Sequence, residues 1–254
     1  MIHLILCGCG GRMGQAILCA AKDNREVGIV AGVDVNADAL ASTSPFPVYQ
    51  SIDEIPVRAQ VIMDFSHHSA LPSLLDYALR TKTPLVVATT GHTEEEKEMM
   101  RDASKQVAVF SSGNMSIGVN LLLELCRVAA KTLGGDFDVE IVEKHHNQKL
   151  DAPSGTALML ADGIAAEREE TSYVYDRHTV RQRRAPEEIG IHSIRGGTIV
   201  GEHQVIFAGN NEVISLSHSA ASREIFAVGA LRAAVYLADK GPGLYSMSDL
   251  INGK

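Results

Sequence analysis

Ile2-His3-Leu4-Ile5-Leu6-Cys7-Gly8-Cys9-Gly10-Gly11-Arg12-Met13-Gly14 is the stretch on which the reading of the fold turns. Ile2 to Cys7 is an apolar run without helical periodicity, which suits a strand covered on both faces. A glycine loop follows, and from about Met13 to Lys22 the residues Ile17, Leu18 and Ala21 recur at helical spacing. The loop departs from strict G-x-G-x-x-G because its third glycine falls one place late, at Gly14. Its physical content survives. Without Cβ atoms the backbone can approach a diphosphate, and N–H groups at the helix start attract its charge.

A second strand, Val27 to Val33, ends in Asp34, 20 residues after Gly14, where a carboxylate accepts both ribose hydroxyls of an adenosine. Gly8, Cys9, Gly10, Gly11, Arg12, Met13 and Asp34 are therefore expected at a dinucleotide site. A carboxylate at position 34 repels a 2′-phosphate, and Val35 and Asn36 bring no cation to offset it. NADH is expected to serve at least as well as NADPH. Arg12 is the nearest base, placed to stack on adenine or reach a phosphate.

Further strands are predicted at Val61 to Phe65, Pro84 to Ala88 and Val107 to Ser111. Helices fall at Leu71 to Leu79 and Glu94 to Lys105, the latter opened by a Thr93/Glu96 capping box. Strands alternating with helices at this spacing mean right-handed β-α-β units in a parallel, doubly wound sheet. The rhythm changes after residue 115. A long helix, Ile117 to Leu133, carries Leu121, Leu125, Val128 and Leu133 at helical spacing. A strand follows at Phe137 to Glu143, and a helix begins near Thr156.

Strands Ile189 to Ile194, Thr198 to Phe207 and Glu212 to His218 then arrive without helices between them. Gly196-Gly197 and Gly209-Asn210-Asn211 are expected to turn them. The tail from Arg223 to Ala238 reads as one more helix. The expected fold is thus Rossmann-type α/β, residues 1–116 completed by 224–254. An inserted α+β domain at 117–223 carries a mixed, largely antiparallel sheet.

The composition agrees with an enzyme of this class. The chain has 254 residues, 45% hydrophobic, with 22 glycines, and a formal charge of −8 that disfavours general affinity for nucleic acid. Cys7, Cys9, Cys19 and Cys126 show no C-x-x-C spacing, so they read as reduced thiols, and no His/Cys cluster fits a zinc template. No stretch approaches the ~18 apolar residues of a spanning helix, and no basic n-region precedes Ile2. A cytoplasmic location without membrane attachment is the expectation. The run Arg177 to Arg184 lacks interleaved aromatics and reads as a solvated loop or subunit contact.

Two polar loops end strands, Ala88-Thr89-Thr90-Gly91 and Ser112-Gly113-Asn114-Met115. Ligands of open α/β sheets sit outside the carboxyl ends of the strands, so both loops are candidates for contacting the nicotinamide half. Asp64, His67 and His68 either approach the cofactor or hydrogen-bond at the sheet end.

The richest chemistry lies between Glu143 and Ala157, read Glu-Lys-His-His-Asn-Gln-Lys-Leu-Asp-Ala-Pro-Ser-Gly-Thr-Ala. Pro153 forces Ala152 into an extended form, and Ser154 can cap the helix that follows. That helix start offers the N–H groups of Gly155 and Thr156 to a carboxylate, with Lys149 and His146 adding charge-assisted bonds. His145 and His146 cannot point the same way on an extended segment. A metal would need a third ligand, for which Glu143 is the near candidate, so none is expected.

These motifs resemble the dihydrodipicolinate (4-hydroxy-tetrahydrodipicolinate) reductase family of the diaminopimelate route to lysine. The resemblance runs end to end: the Gly-Arg-Met-Gly loop, Asp64-Phe65-Ser66, the Thr-Thr-Gly loop, Asn114 to Asn120, and the His-His-x-x-Lys-x-Asp-Ala-Pro-Ser-Gly-Thr-Ala block. Arg195-Gly196-Gly197, Gly201-Glu202-His203, Ser217-His218 and Ala221-Ser222-Arg223 follow. It implies His145 as catalytic acid, and Lys149 as its assistant and a holder of substrate. It puts His146, Gly155 and Thr156, with the Ser154 cap beside them, at the substrate, a small dicarboxylate. Residues 8–13, 34, 88–91 and 112–115 fall at the cofactor, and a homotetramer is implied. The chain departs in having Ala88 where many members have Gly, and Val35 where some relatives carry an arginine for the 2′-phosphate.

Two other readings stay open at this level. One is another Rossmann-type reductase of a small anionic substrate; Glu143-Lys144 is superficially like the Glu-Lys-Pro of sugar oxidoreductases, with His145 in place of proline. The other is a non-catalytic nucleotide sensor.

Overall fold

A computed structural model describes residues 1–179 and 181–253. Val180, within the basic run, and Lys254, the last position of the expected 224–254 segment, lie outside the described residues. The chain divides into two compact units, Met1–Ile117 with Glu224–Lys254, and Gly118–Arg223.

The first unit opens with β1 (Ile2–Cys7), α1 (Arg12–Lys22), β2 (Val27–Val33), α2 (Ala37–Leu40) and β3 (Val48–Tyr49). It continues through β4 (Val61–Asp64), α3 (Leu71–Thr81), β5 (Leu85–Val87), α4 (Glu94–Ser104) and β6 (Ala108–Ser111). In the second unit come α5 (Ile117–Leu133, its first residue in unit one), β7 (Asp138–His145) and α6 (Gly155–Ala165), then β8 (Ser172–Val174), β9 (Glu188–Arg195), β10 (Gly201–Ala208) and β11 (Val213–Ala220). The chain returns to the first unit with α7 (Glu224–Leu237), β12 (Gly243–Tyr245) and α8 (Met247–Asn252).

The first sheet runs β12-β6-β5-β4-β1-β2-β3, and its pairings are all parallel. Period-two alternation explains why the later part of β1, Leu4 to Cys7, is apolar and buried on both faces. Leu4 and Leu6 join the core shared with α1 and α7, while Ile5 and Cys7 join the core under α3 and α4. The expected capping box on α4 is present, Glu96 N–H donating to Thr93 Oγ1 and Thr93 N–H to Glu96 Oε2. β3 and β12 escaped the sequence reading because two or three residues cannot display a period.

In the second sheet, ordered β11-β10-β7-β9-β8, β10 pairs antiparallel with β7 and β11, while β9 pairs parallel with β7 and β8. The sheet is mixed as expected, with an antiparallel share of half its pairings. One expectation fails. Gly196-Gly197 does not turn a hairpin, because β7 lies between β9 and β10. The glycines instead strap over the end of β7, Gly196 N–H donating to His145 O and Asn147 N–H to Gly197 O, with Gly197 at φ +50. Gly209-Asn210-Asn211 does turn β10 into β11.

On α5, Val119, Asn120, Leu122, Cys126 and Ala130 are buried. The stripe of Leu121, Leu125 and Val128 is exposed. Among the described residues no helix is long and apolar enough to cross a membrane.

Helix α7 lies so close to the 112–115 loop that a Cβ on Gly229 would overlap the Met115 carbonyl oxygen. Replacing a mid-helix glycine by alanine ordinarily gains about 1 kcal/mol, whereas overpacking against an unyielding backbone costs about 1–3 kcal/mol. The clash should win. Gly229→Ala is expected to lower the urea-unfolding midpoint, and a raised midpoint would show that the loop yields freely.

Candidate functional site

In the first unit the parallel strands direct Gly8 to Arg12, Asp34, Phe65 to His67, Ala88 to Gly91 and Ser112 to Met115 to one edge of the sheet, past the carboxyl ends of β1, β2, β4, β5 and β6. The glycine loop depends on missing side chains. Gly8 stands at φ +75, and a Cβ there would come within 2.5 Å of the Phe65 carbonyl oxygen; one on Gly14 would overlap the carbonyl oxygen of Gly8. Such backbone-on-backbone contact leaves the first turn of α1 facing the loop.

Asp34 accepts from Gly10 N–H at 2.8 Å and from Asn36 N–H at 3.0 Å, one on each carboxylate oxygen. Each oxygen retains accepting capacity for a further donor. A cavity of about 340 Å³ lies here, lined among others by Gly8, Gly11, Asp34, Val35, Phe65 and His67. Its bare glycine wall and carboxylate suit the adenosine half of a dinucleotide. Val35 is 87% exposed. His67, expected either at the cofactor or at the sheet end, lines this cavity, and so does Phe65, which is not expected there from sequence because its placement beside Gly8 follows from β4 lying next to β1.

Asp64 is fully buried and serves the sheet end. Its Oδ1 accepts from the backbone and side chain of Ser66, and its Oδ2 from Thr89 Oγ1 at 2.9 Å, which ties the 88–91 loop to β4. His68 turns to α4, its Nδ1 2.9 Å from Glu96 Oε1. Ser112 Oγ donates to Asn114 O and Ser116 N–H to Asn114 Oδ1, so the 112–115 loop is internally braced.

The second unit assembles the histidine stretch around a fully buried carboxylate. Glu143 and His145 are two apart on β7 and so share its helix-covered face. His145 Nδ1 lies 2.6 Å from Glu143 Oε2. Arg195, opposite His145 on β9, grips both carboxylate oxygens at 2.7 Å, and Ser154 N–H donates to Glu143 Oε1 at 3.1 Å. Burial pushes the Glu143 carboxyl up, but Arg195, His145, Ser193 and the Ser154 N–H outweigh it and hold it at about 2. For His145, burial lowers the pKa, Glu143 opposes, Lys149 and Arg195 reinforce, and the net direction is down.

Ser154 caps α6 as expected, its Oγ accepting from Ala157 N–H at 3.1 Å. The same Oγ lies 2.9 Å from Nε2 of His203, a β10 residue only 4% exposed whose ring meets that of His145 edge-on at 5.2 Å. Gly155 and Thr156 form the first turn of α6, and the Ala152-Pro153 peptide before it is cis. His146 lies just past β7, with Arg223 3.5 Å from its Nε2. Lys149 Nζ pairs with Asp151 at 2.9 Å. His145, Ser154 and the start of α6 lie close together through Glu143 and His203, and the contacts that Glu143, Arg195 and His203 make there are not expected from the sequence. Period two would have put Glu143 beside His145; Arg195 and His203 required the strand order.

Arg177 and Arg184 of the basic run are taken up by ion pairs, Arg177 with Glu188 and Arg184 with Asp138 and Glu140. Among the described residues no three His, Cys, Asp or Glu side chains converge as metal ligands.

Models of the family described as dihydrodipicolinate reductase match its N-terminal part over residues 2–115 and its C-terminal part over 118–251. The chain is 54% identical over 252 residues to the 4-hydroxy-tetrahydrodipicolinate reductase of Caldanaerobacter subterraneus subsp. tengcongensis, covering 99% of this chain and 98% of that one. It is 46% identical over 253 residues to the enzyme of the same name from Clostridium tetani, covering 99% and 98%. The dipicolinate-bound dihydrodipicolinate reductase from Paenisporosarcina sp. TG-14 superposes with a TM-score of 0.80 at 26% identity, over 97% of each chain. A probable dehydrogenase from Thermotoga maritima, at 12% identity and a TM-score of 0.64 over 99% of this chain and 93% of that one, shares the fold.

Burial pushes the His203 imidazole down to about 4, the charge of a protonated His145 adding to the effect. The unfolded chain binds that proton near pH 6.5 and the folded chain resists it, so stability is complete above about 6.5 and falls as pH drops towards 4. From pH 7.5 to 4.5 this one group should remove roughly 2–3 kcal/mol. Urea midpoints at both pH values for wild type and His203→Gln check it. The variant should lose less than wild type on acidification, and an equal loss would clear His203 of the effect.

Proposed function

The chain belongs to the dihydrodipicolinate reductase family, and on that premise we propose which of its residues bind and protonate the substrate. It is an NAD(P)H-dependent oxidoreductase that reduces 4-hydroxy-tetrahydrodipicolinate to tetrahydrodipicolinate, in the diaminopimelate route to lysine. The observation that carries the site assignment is one strand-loop-helix run. It joins His145, braced by buried Glu143, to Lys149 and to the capped start of α6.

The reaction adds hydride to one carbon of a conjugated ring, after loss of the hydroxyl as water, and a proton to the neighbouring carbon. The nicotinamide cofactor, when bound, supplies the hydride. The glycine loop, with Gly8, Cys9, Gly10, Gly11, Arg12 and Met13, receives its diphosphate, and Asp34 its adenosine ribose. Ala88 to Gly91 and Ser112 to Met115 position the nicotinamide half. His145 delivers the proton, a task an imidazole performs near neutrality. One ring carboxylate is held by the first turn of α6, at Gly155 and Thr156, with Ser154 fixing that turn. Lys149 and His146 add charge, Lys149 exchanging Asp151 for the substrate.

The second unit is the substrate-binding and oligomerisation domain of a cytoplasmic homotetramer. In support, the sheet face opposite α5 and α6 leaves Ile194 and Val213 exposed.

His145→Gln is expected to lower kcat by about 10²-fold or more while NADH affinity stays put. Unchanged turnover would remove the proposed acid. Asp34, with exposed Val35 beside it, supports NADH as at least the equal of NADPH, because a 2′-phosphate would meet a carboxylate and no adjacent cation. Steady-state assays with both nucleotides and freshly generated substrate decide this, and a kcat/KM strongly favouring NADPH would refute it.

A further inference from the structure

We propose that Glu143 is the positioning residue for His145, fixing its tautomer and raising its proton affinity, and that Arg195 limits how far it does so. The proposal rests on the reading of His145 as proton donor. An ionised carboxylate only accepts hydrogen bonds, so the 2.6 Å contact with Glu143 Oε2 assigns the proton to His145 Nδ1. Nε2 is left as the atom that exchanges a proton with substrate. That edge of the ring runs over Gly201, where an added Cβ would come within 3.1 Å of Nε2.

The carboxylate cannot swing away, because Arg195 holds both oxygens and the Ser154 N–H holds Oε1. It therefore locks the ring and the start of α6 to one another. The arrangement also sets the charge balance. Burial is the largest influence lowering the proton affinity of His145, and Glu143 opposes it. Arg195, on the same two oxygens, adds to the lowering and so limits the pull of the carboxylate.

The other groups around the ring are few. Lys149, paired with Asp151, lies on the loop after β7 and opposes protonation; Ser193 on β9 binds Glu143. His203 on β10 meets the ring edge-on, and His218 stands opposite His203 on β11; burial lowers the proton affinity of both. Glu143 attracts the proton whereas Arg195 opposes it, and removing Glu143 or weakening Arg195 should therefore move His145 in opposite directions.

The test titrates the His145 imidazole in full-length ¹⁵N-histidine-labelled protein by NMR, assigned by its absence in His145→Gln, alongside pH profiles of kcat/KM. In Glu143→Gln the titration and the falling alkaline limb should both move to lower pH, by about one unit or a tenfold loss of proton affinity. Turnover should fall with NADH affinity retained. In Arg195→Lys, which keeps a charge but loses the two-pronged grip, both should move to higher pH. Glu143→Asp, if the Gln variant fails to fold, should keep the Nδ1–H tautomer. A His145 titration that stays put in Glu143→Gln, or moves the same way in both variants, overturns the proposal. Should His145→Gln turn over normally, the donor reading fails instead, and the imidazole titrations still decide whether Glu143 governs the ring.

Discussion

Taking an ionised carboxylate entirely out of water costs several kcal/mol unless enough donors meet it, and the second unit is organised around meeting that demand at Glu143. Its partners come from three places: His145 on its own strand, Arg195 on β9 and the backbone of Ser154 at the start of α6. A partner that satisfies the charge is by the same bond fixed in position. The register of β7 against β9 and the entry of the chain into α6 are thus part of one electrostatic arrangement.

The first unit uses carboxylates at strand ends in a related manner. Asp64, fully buried at the end of β4, ties the 65–66 turn and the 88–91 loop together through hydroxyl and backbone donors. Asp34, at the end of β2, draws in Gly10 and Asn36 while remaining partly exposed to the cavity. The difference in burial separates their roles. A carboxylate saturated by protein donors is structural, whereas one with accepting capacity facing a cavity is placed to meet a ligand.

Legibility along the chain followed the strength of local signals. β1, α3, α4, α5 and α7 announce themselves through apolar runs, helical spacing or a capping box, and the structure has them within a few residues of the sequence expectation. β3, β8 and β12 are too short to show a period, and they exist because a neighbouring strand offers an open edge. The α5 stripe illustrates a different limit. Helical spacing marked Leu121, Leu125 and Val128 as one face, but a helix with two apolar faces does not say which is covered.

At the candidate site, the glycine loop, Asp34 and the run from His145 to Thr156 were readable because each is a local motif whose parts act within one turn or strand end. Arg195 and His203 were recognisable as motif residues, yet what they touch was not, since they come from β9 and β10, 50 residues or more from His145 along the chain. Residue type and local spacing by themselves determined the class of fold, the dinucleotide loop and the histidine-bearing segment. Strand order and burial decided which charges face one another, and hence that β7 separates β9 from β10, that Glu143 braces His145, and that the glycines at 196 and 197 strap a strand instead of turning a hairpin. A hydrogen bond between distant segments depends on their separation in space, which local spacing does not encode.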